Sequence, residues 1–445
     1  MRTTSRRRRT VLALPALLGG TALALAACSG IPEDAPNSED AEATVTFRIW
    51  DDTVAAAYEE SFETFTEQHP EITVDVQVVA WEDYWDRLPE DLEAGTMADV
   101  FWTNTANFGA HADTGQMINL DEAIGGDHDA WTEPVADLYR RDGIQWGVPQ
   151  LWESTALYYN TDLLEEAGVE PASLRWDPTG AEDTLVGAAQ ALTVDAEGST
   201  ADEPGFDAED IVRFGFNAQH DAQAIWLSFL AENGGRFQDG SGRYTFATPP
   251  GEAAFGYVVD LIQTHQVAPA AEDTNNDPAF SRELFLREEL ALFQAGPSAL
   301  AHLVDAGFDW DLAPKVEGPR GRISVVHGVA AVGSAHAADS EATIEVLRWL
   351  GSAQGQRPLG ESGAGIPGVV EAQEAYAQYW AGQDVDVQVF LDAVEEGTTP
   401  APLGPRASGG SNEISPVFQD MFAGRIEVPQ ALRQAQQAAN EAIAD

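Results

Sequence analysis

The sequence predicts an α/β protein whose strands form parallel sheets. Between residues 45 and 120, apolar residues first alternate, as in a strand, and then recur at helical spacing, and this change repeats. Such a strand–helix–strand order favours a parallel sheet with helices on its faces. The chain has 445 residues, of which 44% are hydrophobic, which is enough for a large core and for more than one domain.

The individual elements follow from the same patterns. We expect a helix over 81–94 that ends at Gly95, and a helix over 54–68 that Pro70 terminates. Strands are predicted over 45–50, 72–79, 99–102 and 323–332, and residues 115–120 should lead into another. A helix begins at Thr161, residues 176–300 are mainly helical, 239–242 form a hairpin turn, and helices cover 340–350 and 429–445.

The N-terminus has the layout of an export signal. An arginine run precedes a short apolar segment, and Leu25-Ala26-Ala27-Cys28 follows. This run resembles the lipobox of bacterial lipoproteins, in which the cysteine becomes the lipid-modified first residue. We expect a signal peptide over 1–27, a lipid at Cys28 that holds the protein at the outer face of the cell membrane, and a disordered acidic tether over 28–43. The sequence leaves the Sec and twin-arginine export routes open.

The charge balance excludes several function classes. The chain has 74 acidic and 23 basic residues, a formal net charge of −51. Such a negative surface repels phosphate backbones, so we expect no nucleic-acid partner. The only lysine, Lys315, lies outside any GKS or GKT phosphate-binding motif, and the single cysteine allows no thiolate metal cluster. We therefore expect no cofactor and no bound metal.

Several short segments, each weak alone, occur in a characteristic order. They are ADVFW at 98–102, GQMINL at 115–120, GVP at 147–149, ALYYNTD at 156–162, NGG at 233–235, LALFQAGP at 290–297 and GAGIP at 363–367. In this order the chain resembles the extracellular solute-binding proteins of ABC importers, in the carbohydrate-binding group that includes maltose-binding protein. The resemblance implies a two-lobed periplasmic-binding-protein-like fold, in which each lobe is a mostly parallel sheet flanked by helices and the ligand cleft lies between the lobes. It assigns 44–153 and 297–333 to lobe 1, and 154–296 and 334–445 to lobe 2.

Most candidate ligand contacts lie at predicted strand ends and junctions, where open α/β sheets bind ligands, and Trp226 lies in a predicted helix that would face the cleft from lobe 2. A sugar needs aromatic platforms for its C–H faces and planar polar groups for its hydroxyls. We expect contacts from Trp50, Asp51, Asp52, Trp81, Trp102, Asn104, Trp152, Glu153, Trp226, His327 and Arg406. By the resemblance, Glu153 and Trp102 match sugar-contacting positions, and Arg406 lies in a loop at the cleft edge. Thr105 stands where the family has an acidic residue, so the hydroxyl pattern of the ligand would differ. For each tryptophan, packing in the hydrophobic core is the alternative to a ligand contact.

The predicted function combines these features. We expect a lipid-anchored extracellular binding protein, a monomer without enzymatic activity, that captures a mono- or oligosaccharide by lobe closure. It would deliver the sugar to the membrane permease subunits of an ABC transporter. Two alternatives stay open: the same fold binding a non-sugar solute, and an extracellular glycoside hydrolase, because the carboxylates are too numerous to exclude a catalytic pair.

Overall fold

The computed structural model describes residues 43–112, 114–404 and 407–444. The predicted signal peptide, Cys28 and Arg406 lie outside these residues. So does the predicted tether except for Ala43, which begins the first strand. Among the described residues, no helix combines the length and the apolar character needed to cross a membrane.

The strands are, in chain order, β1 Ala43–Ile49, β2 Ile72–Val78, β3 Val100–Asn104, β4 Arg140–Arg141, β5 Ile144–Gln145, β6 Val148–Glu153, β7 Ala156–Asn160, β8 Val194–Asp195, β9 Ile211–Phe216, β10 Leu290–Ala295, β11 Trp310–Pro314, β12 Ser324–Gly333, β13 Ile366–Pro367 and β14 Thr398–Pro400.

The helices are α1 Ala55–Gln68, α2 Trp81–Ala94, α3 Thr105–Ala112, α4 Leu120–Ala123, α5 Glu133–Asp137, α6 Thr161–Ala167, α7 Leu185–Leu192, α8 Leu227–Glu232, α9 Pro249–Gln263, α10 Ala271–Asn276, α11 Phe280–Leu286, α12 Leu300–Leu303, α13 Ser340–Leu350, α14 Ala353–Glu361, α15 Gln373–Ala381, α16 Gln388–Glu396, α17 Ala407–Phe422 and α18 Val428–Ala442. A π-helical turn, Ala222–Trp226, precedes α8.

Two sheets divide these elements into two lobes. The sheet of lobe 1 has the order β13-β6-β12-β3-β1-β2, with β14 beside β12, and the sheet of lobe 2 has the order β11-β7-β10-β9-β8. β1 is parallel to β2 and β3, and β9 is parallel to β10. Both sheets are nevertheless mixed rather than mostly parallel, because β12 is antiparallel to β3 and β6, and β7 is antiparallel to β10.

The reversed directions of β7 and β12 have a common cause. β6 ends at Glu153 and β7 begins at Ala156, so the chain leaves lobe 1 at the carboxyl edge of its sheet and enters lobe 2 at the matching edge. β12 makes the reverse passage after β11. A strand that enters a sheet at the edge where the parallel strands end must run against them.

The strand pairings correct the predicted lobe boundaries. β11, within the segment 297–333 assigned to lobe 1, pairs with β7 in lobe 2. β13 and β14, within the segment 334–445 assigned to lobe 2, pair with β6 and β12 in lobe 1. α13 and α14 also pack on lobe 1, and the chain returns to lobe 2 with α17 and α18, which pack on α9.

The local predictions agree well with the structure between residues 43 and 104. α1, α2 and β1 to β3 lie within two residues of the predicted ranges, and Gly95 ends α2 in the left-handed conformation at φ 67°. The predicted turn at 239–242 is present, since Gln238 and Tyr244 form a bridge. Residues 115–120 contain a single bridge at Met117 rather than a strand. The mainly helical prediction for 176–300 misses β9 and β10, which lie inside the second sheet.

Candidate functional site

A cavity of about 220 Å³ lies between the lobes, beside the passage from β6 to β7. Its lobe 1 wall comes from the end of β6 and the start of β12, and its lobe 2 wall comes from the segments that follow β9 and β10. The polar residues that line it are Glu153, Ser154, Thr155, Gln219, Asp221, Gln223, Arg282, Gln294, Ser298, His302 and His327. The site is therefore built at strand ends, as ligand sites in open α/β sheets are.

Glu153 and His327 form the lobe 1 wall of the cavity. The two residues are directly opposite each other in the pairing of β6 with β12, and Glu153 Oε2 lies 3.6 Å from His327 Nε2. Gly296 of lobe 2 faces the same carboxylate, and a Cβ atom there would lie 2.9 Å from Glu153 Oε2. The absence of a side chain at Gly296 thus lets the carboxylate reach the surface of lobe 2.

The lobe 2 wall is held in place by its own hydrogen bonds. Asp221 Oδ1 accepts from the backbone N–H groups of Gln223 and Ala224 at 2.9 and 2.8 Å, which caps the π-helical turn. The hydroxyl of Ser281 donates to Gln219 Oε1. These contacts fix the orientation of both side chains before any ligand arrives.

Two buried tyrosines, Tyr158 and Tyr376, lie close enough to Glu153 to feel its charge. Burial raises the pKa of Tyr158 and of Tyr376, and the nearby Glu153 carboxylate raises both further. Both hydroxyls therefore stay protonated, and that of Tyr158 donates to the carbonyl oxygen of Gly296 at 2.8 Å. This hydrogen bond joins Tyr158 of β7, just past the lobe crossing, to Gly296, which faces Glu153.

Three tryptophans predicted to line the cleft lie in the hydrophobic cores instead. Trp102 and Trp152 are each 1% exposed, and Trp226 is 5% exposed. Trp102 packs edge-on against Trp50, and the Nε1–H of Trp152 donates to the carbonyl oxygen of Pro367 at 3.0 Å. Trp226 packs among Phe237, Phe255 and Phe418. β3 and β6 are interior strands of the lobe 1 sheet, and both Trp102 and Trp152 are part of its hydrophobic core.

The remaining predicted residues that the structure describes lie along the carboxyl edge of the lobe 1 sheet. Trp50 and Asp51 follow β1 and are partly exposed, whereas Asp52 and Trp81 are exposed. Asp51 Oδ1 accepts from the backbone N–H and hydroxyl of Thr53, and Asn104 Oδ1 accepts from the backbone N–H of Asn107. Of the predicted contacts, Glu153 and His327 alone are among the described residues that line the cavity.

The model of the family described as "Bacterial extracellular solute-binding protein" matches residues 51–357. The chain belongs to this family.

Solved structures similar to this solute-binding protein confirm its fold class. UspC of M. tuberculosis is 43% identical, with a TM-score of 0.82, and the match covers 90% of this chain and 100% of that one. The GacH receptor of Streptomyces glaucescens, whose structure was solved unliganded and with acarbose, is 21% identical, with a TM-score of 0.70 and coverage of 91% and 99%.

Curated relatives match over smaller parts. The maltodextrin-binding protein MdxE of Bacillus subtilis is 24% identical over 312 residues, which are 67% of this chain and 66% of that protein. A putative binding protein of Brucella abortus is 27% identical over 149 residues, and the match spans 33% of this chain and only 36% of that protein's length.

Two of the cavity residues that were not predicted, Ser154 and Thr155, lie in the crossing from β6 to β7, and the others belong to lobe 2. Gln219 and Asp221 follow β9, Ser298 follows β10, and Arg282 and His302 lie on α11 and α12. The rule that strand ends carry ligand contacts would have found the first three, but β9 and β10 were assigned to a helical region. Among the described residues, no group of three or more potential metal ligands is gathered at one place.

Proposed function

We propose that this solute-binding protein captures a carbohydrate between its lobes and delivers it to an ABC transporter. The observation that carries the proposal is the composition of the cavity, in which Glu153 of lobe 1 and Asp221 of lobe 2 share one space with amides, hydroxyls and Arg282. Carboxylates and amides accept and donate the paired hydrogen bonds that neighbouring sugar hydroxyls require. Relatives named for maltodextrin, arabinooligosaccharide and lactose binding support the same ligand class.

Lobe closure is the proposed means of capture. The cavity draws its walls from both lobes, so a ligand seated there holds the two walls together. A ligand that contacts both lobes favours the closed arrangement by its differential affinity for it. Closure would also exclude water, which strengthens the hydrogen bonds to Glu153 and Asp221.

The first experiment is a thermal-shift panel of mono-, di- and trisaccharides on the unmodified protein. A sugar present at 100 times its dissociation constant should stabilise the fold by about 2.7 kcal/mol. If no sugar raises the melting temperature while a non-sugar solute does, the carbohydrate assignment is wrong and the alternative of a non-sugar cargo replaces it.

The second experiment tests the site through Glu153→Gln. Loss of the charged acceptor should cost about 1.5–3 kcal/mol, or roughly ten- to 150-fold in sugar affinity by calorimetry. The melting temperature without sugar should stay near that of the wild type, because this side chain is partly exposed. Glu345→Gln, on the exposed surface of α13, is the matched control. Unchanged affinity in Glu153→Gln would contradict the assignment of the cavity.

We also propose that the protein binds its sugar without chemical change and acts as a monomer. Incubation with the oligosaccharide that binds best should leave that oligosaccharide intact by chromatography. Release of shorter sugars would instead favour the hydrolase alternative. Size-exclusion chromatography with light scattering should give a mass near 47.7 kDa less the removed signal peptide.

Lipid anchoring at Cys28 is proposed from the sequence of the export signal. A diacylated N-terminal cysteine supplies the two acyl chains that stable membrane attachment requires. Cys28→Ala should therefore move the protein from the membrane fraction to the soluble fraction. A variant that still sediments with membranes after a high-salt wash would contradict the anchor.

A further inference from the structure

Arg282 lines the cavity between the lobes and has no counterion in the chain. Across the part of the chain that the structure describes, no carboxylate oxygen lies within 4.0 Å of its guanidinium nitrogens, and the guanidinium donates no hydrogen bond. Arg287, which directly follows α11, differs, because its guanidinium lies 3.8 Å from Glu283 and 2.9 Å from Glu289. The charge of the partly buried Arg282 is therefore available to a ligand in the cavity.

The contacts of α11 hold the backbone of Arg282 in place. The hydroxyl of Ser281, which is 1% exposed, donates to Gln219 Oε1 in the segment that follows β9. Phe285, on the next turn, is buried and packs against Phe293 of β10 with a centroid distance of 5.7 Å. Because α11 is fixed against the sheet of lobe 2, only the side chain of Arg282 has to be ordered when a ligand binds, and the entropic cost is small.

The lobe 2 wall of the cavity carries further hydrogen-bond donors. Ser298 and His302 come from the segment after β10, line the same cavity and are exposed. A hydroxyl and an imidazole can each donate one hydrogen bond, whereas a guanidinium donates two parallel hydrogen bonds to a carboxylate or a phosphate. Lobe 2 thus combines a fixed positive charge with neutral donors, and this combination suits an anionic group.

The two carboxylates of the cavity contact other groups. Glu153 Oε2 lies 3.6 Å from His327 Nε2, on the wall of lobe 1. Asp221 uses Oδ1 to cap the π-helical turn, which leaves Oδ2 as an acceptor. Neither carboxylate forms an ion pair with Arg282, so both can accept hydrogen bonds from ligand hydroxyls. A neutral sugar would use these acceptors but would leave the guanidinium without a counterion.

We propose that the ligand is a sugar that bears an anionic group, a carboxylate or a phosphate, and that Arg282 binds this group. This inference rests on the proposed function and makes it more specific, because it names the class of carbohydrate. Arg282 is then the residue that distinguishes acidic sugars from neutral ones. Closure of the lobes removes water from the guanidinium, and an anion replaces that water with a charge-assisted, bidentate contact that a single hydroxyl does not provide.

Calorimetric titration of the full-length protein with matched pairs of sugars tests this assignment. The pairs are glucose with glucuronate, galactose with galacturonate, and glucose with glucose 6-phosphate, so they separate a carboxylate from a phosphate as the anionic group. Wild-type protein should bind the anionic member of at least one pair about tenfold more tightly than the neutral member. Arg282→Gln should lower the affinity for that anion roughly ten- to 150-fold and change the affinity for the neutral member by less than about threefold.

Two further variants complete the test. Arg282→Lys keeps the charge but loses the paired donors, so it should bind the anion more weakly than the wild type and still prefer it to the neutral sugar. Arg287→Gln is the matched control. It removes an arginine that already pairs with Glu283 and Glu289 and lies outside the cavity wall, so all affinities should stay close to those of the wild type.

The possible outcomes separate this inference from the proposed function. If wild-type protein binds neutral sugars as tightly as the anionic ones, or if Arg282→Gln keeps the preference for the anion, the role of Arg282 is refuted while the proposed function stands. If no sugar of these pairs or of the thermal-shift panel binds, the proposed function and this inference both fail.

Discussion

Lys315→Met tests whether a buried ion pair sustains the fold beside the lobe crossing. Lys315 is the only lysine of the chain and is 2% exposed. It pairs with the buried carboxylate of Glu232, which also accepts from Trp176 Nε1 at 2.7 Å and from the backbone N–H of Ile323 at 3.0 Å. Ile323 directly precedes β12, where the chain returns to lobe 1.

The cost of the substitution follows from burial. Methionine keeps most of the apolar stem but removes the ammonium group, so the carboxylate loses its opposite charge inside the protein. Breaking a buried pair in this way costs about 3–5 kcal/mol of folding stability. Because Trp176 and Ile323 still donate hydrogen bonds to the Glu232 carboxylate, we expect a loss near the lower end, about 3 kcal/mol. The double variant Lys315→Met with Glu232→Gln carries no unpaired charge and should recover part of this loss.

The stability lost in Lys315→Met should depend on pH. Burial raises the pKa of the Glu232 carboxyl even beside Lys315, and removal of the ammonium raises it further. A carboxyl group whose pKa is higher in the folded state than in the unfolded chain stabilises the fold at pH values below its unfolded pKa of about 4.3. This stabilisation is lost as the pH rises through the folded-state pKa. The loss in Lys315→Met relative to wild type should therefore be smaller at about pH 5 than at about pH 8.

Urea unfolding at both pH values measures these differences. Arg357→Met, which breaks an exposed pair with Glu361, is the control and should leave the unfolding midpoint close to that of the wild type. A loss of folding stability below about 1 kcal/mol in Lys315→Met, or a loss of the same size at both pH values, would show that the buried ion pair does not stabilise the fold through its charge.

Two further predictions concern the partly buried ring of His220 and the buried ring of Trp102. Burial lowers the pKa of His220 to about 4, so the unfolded chain alone takes up a proton between about pH 6.5 and 4, and stability falls by up to about 3 kcal/mol as the pH falls. His220→Phe should lose less stability than wild type between pH 7 and 4.5 in urea unfolding; parallel losses would contradict this. Trp102→Ala should destabilise the unliganded protein by about 3–5 kcal/mol. Trp81→Ala should stay within about 1 kcal/mol of wild type, and equal melting temperatures for the two variants would contradict the burial of Trp102.

Local patterns were sufficient where an element depends on its own residues. The apolar periodicity predicted α1 and α2 nearly to the residue, and the alternation predicted β1 and β2. The polar residue at the end of β6 located Glu153, because strand ends in an α/β fold meet at one edge. β10 could not be predicted in this way, because all six of its residues are buried. Its sequence therefore has no alternation of polar and apolar residues that could distinguish it from a buried helix.

The sequence by itself determined the α/β class, the first elements and the two residues that form the lobe 1 wall of the cavity. Only the tertiary structure decided the direction of β7 and β12, the lobe to which each later segment belongs, and which tryptophans reach the surface. Trp102 and Trp81 are equally apolar and both stand near strand ends, yet one is 1% and the other 51% exposed. The difference arises because the ring of Trp102, on an interior strand, is covered by residues distant in the chain, whereas the ring of Trp81, at the first residue of α2, is not. Residues that share a wall only after two lobes meet have no common signal in the linear sequence.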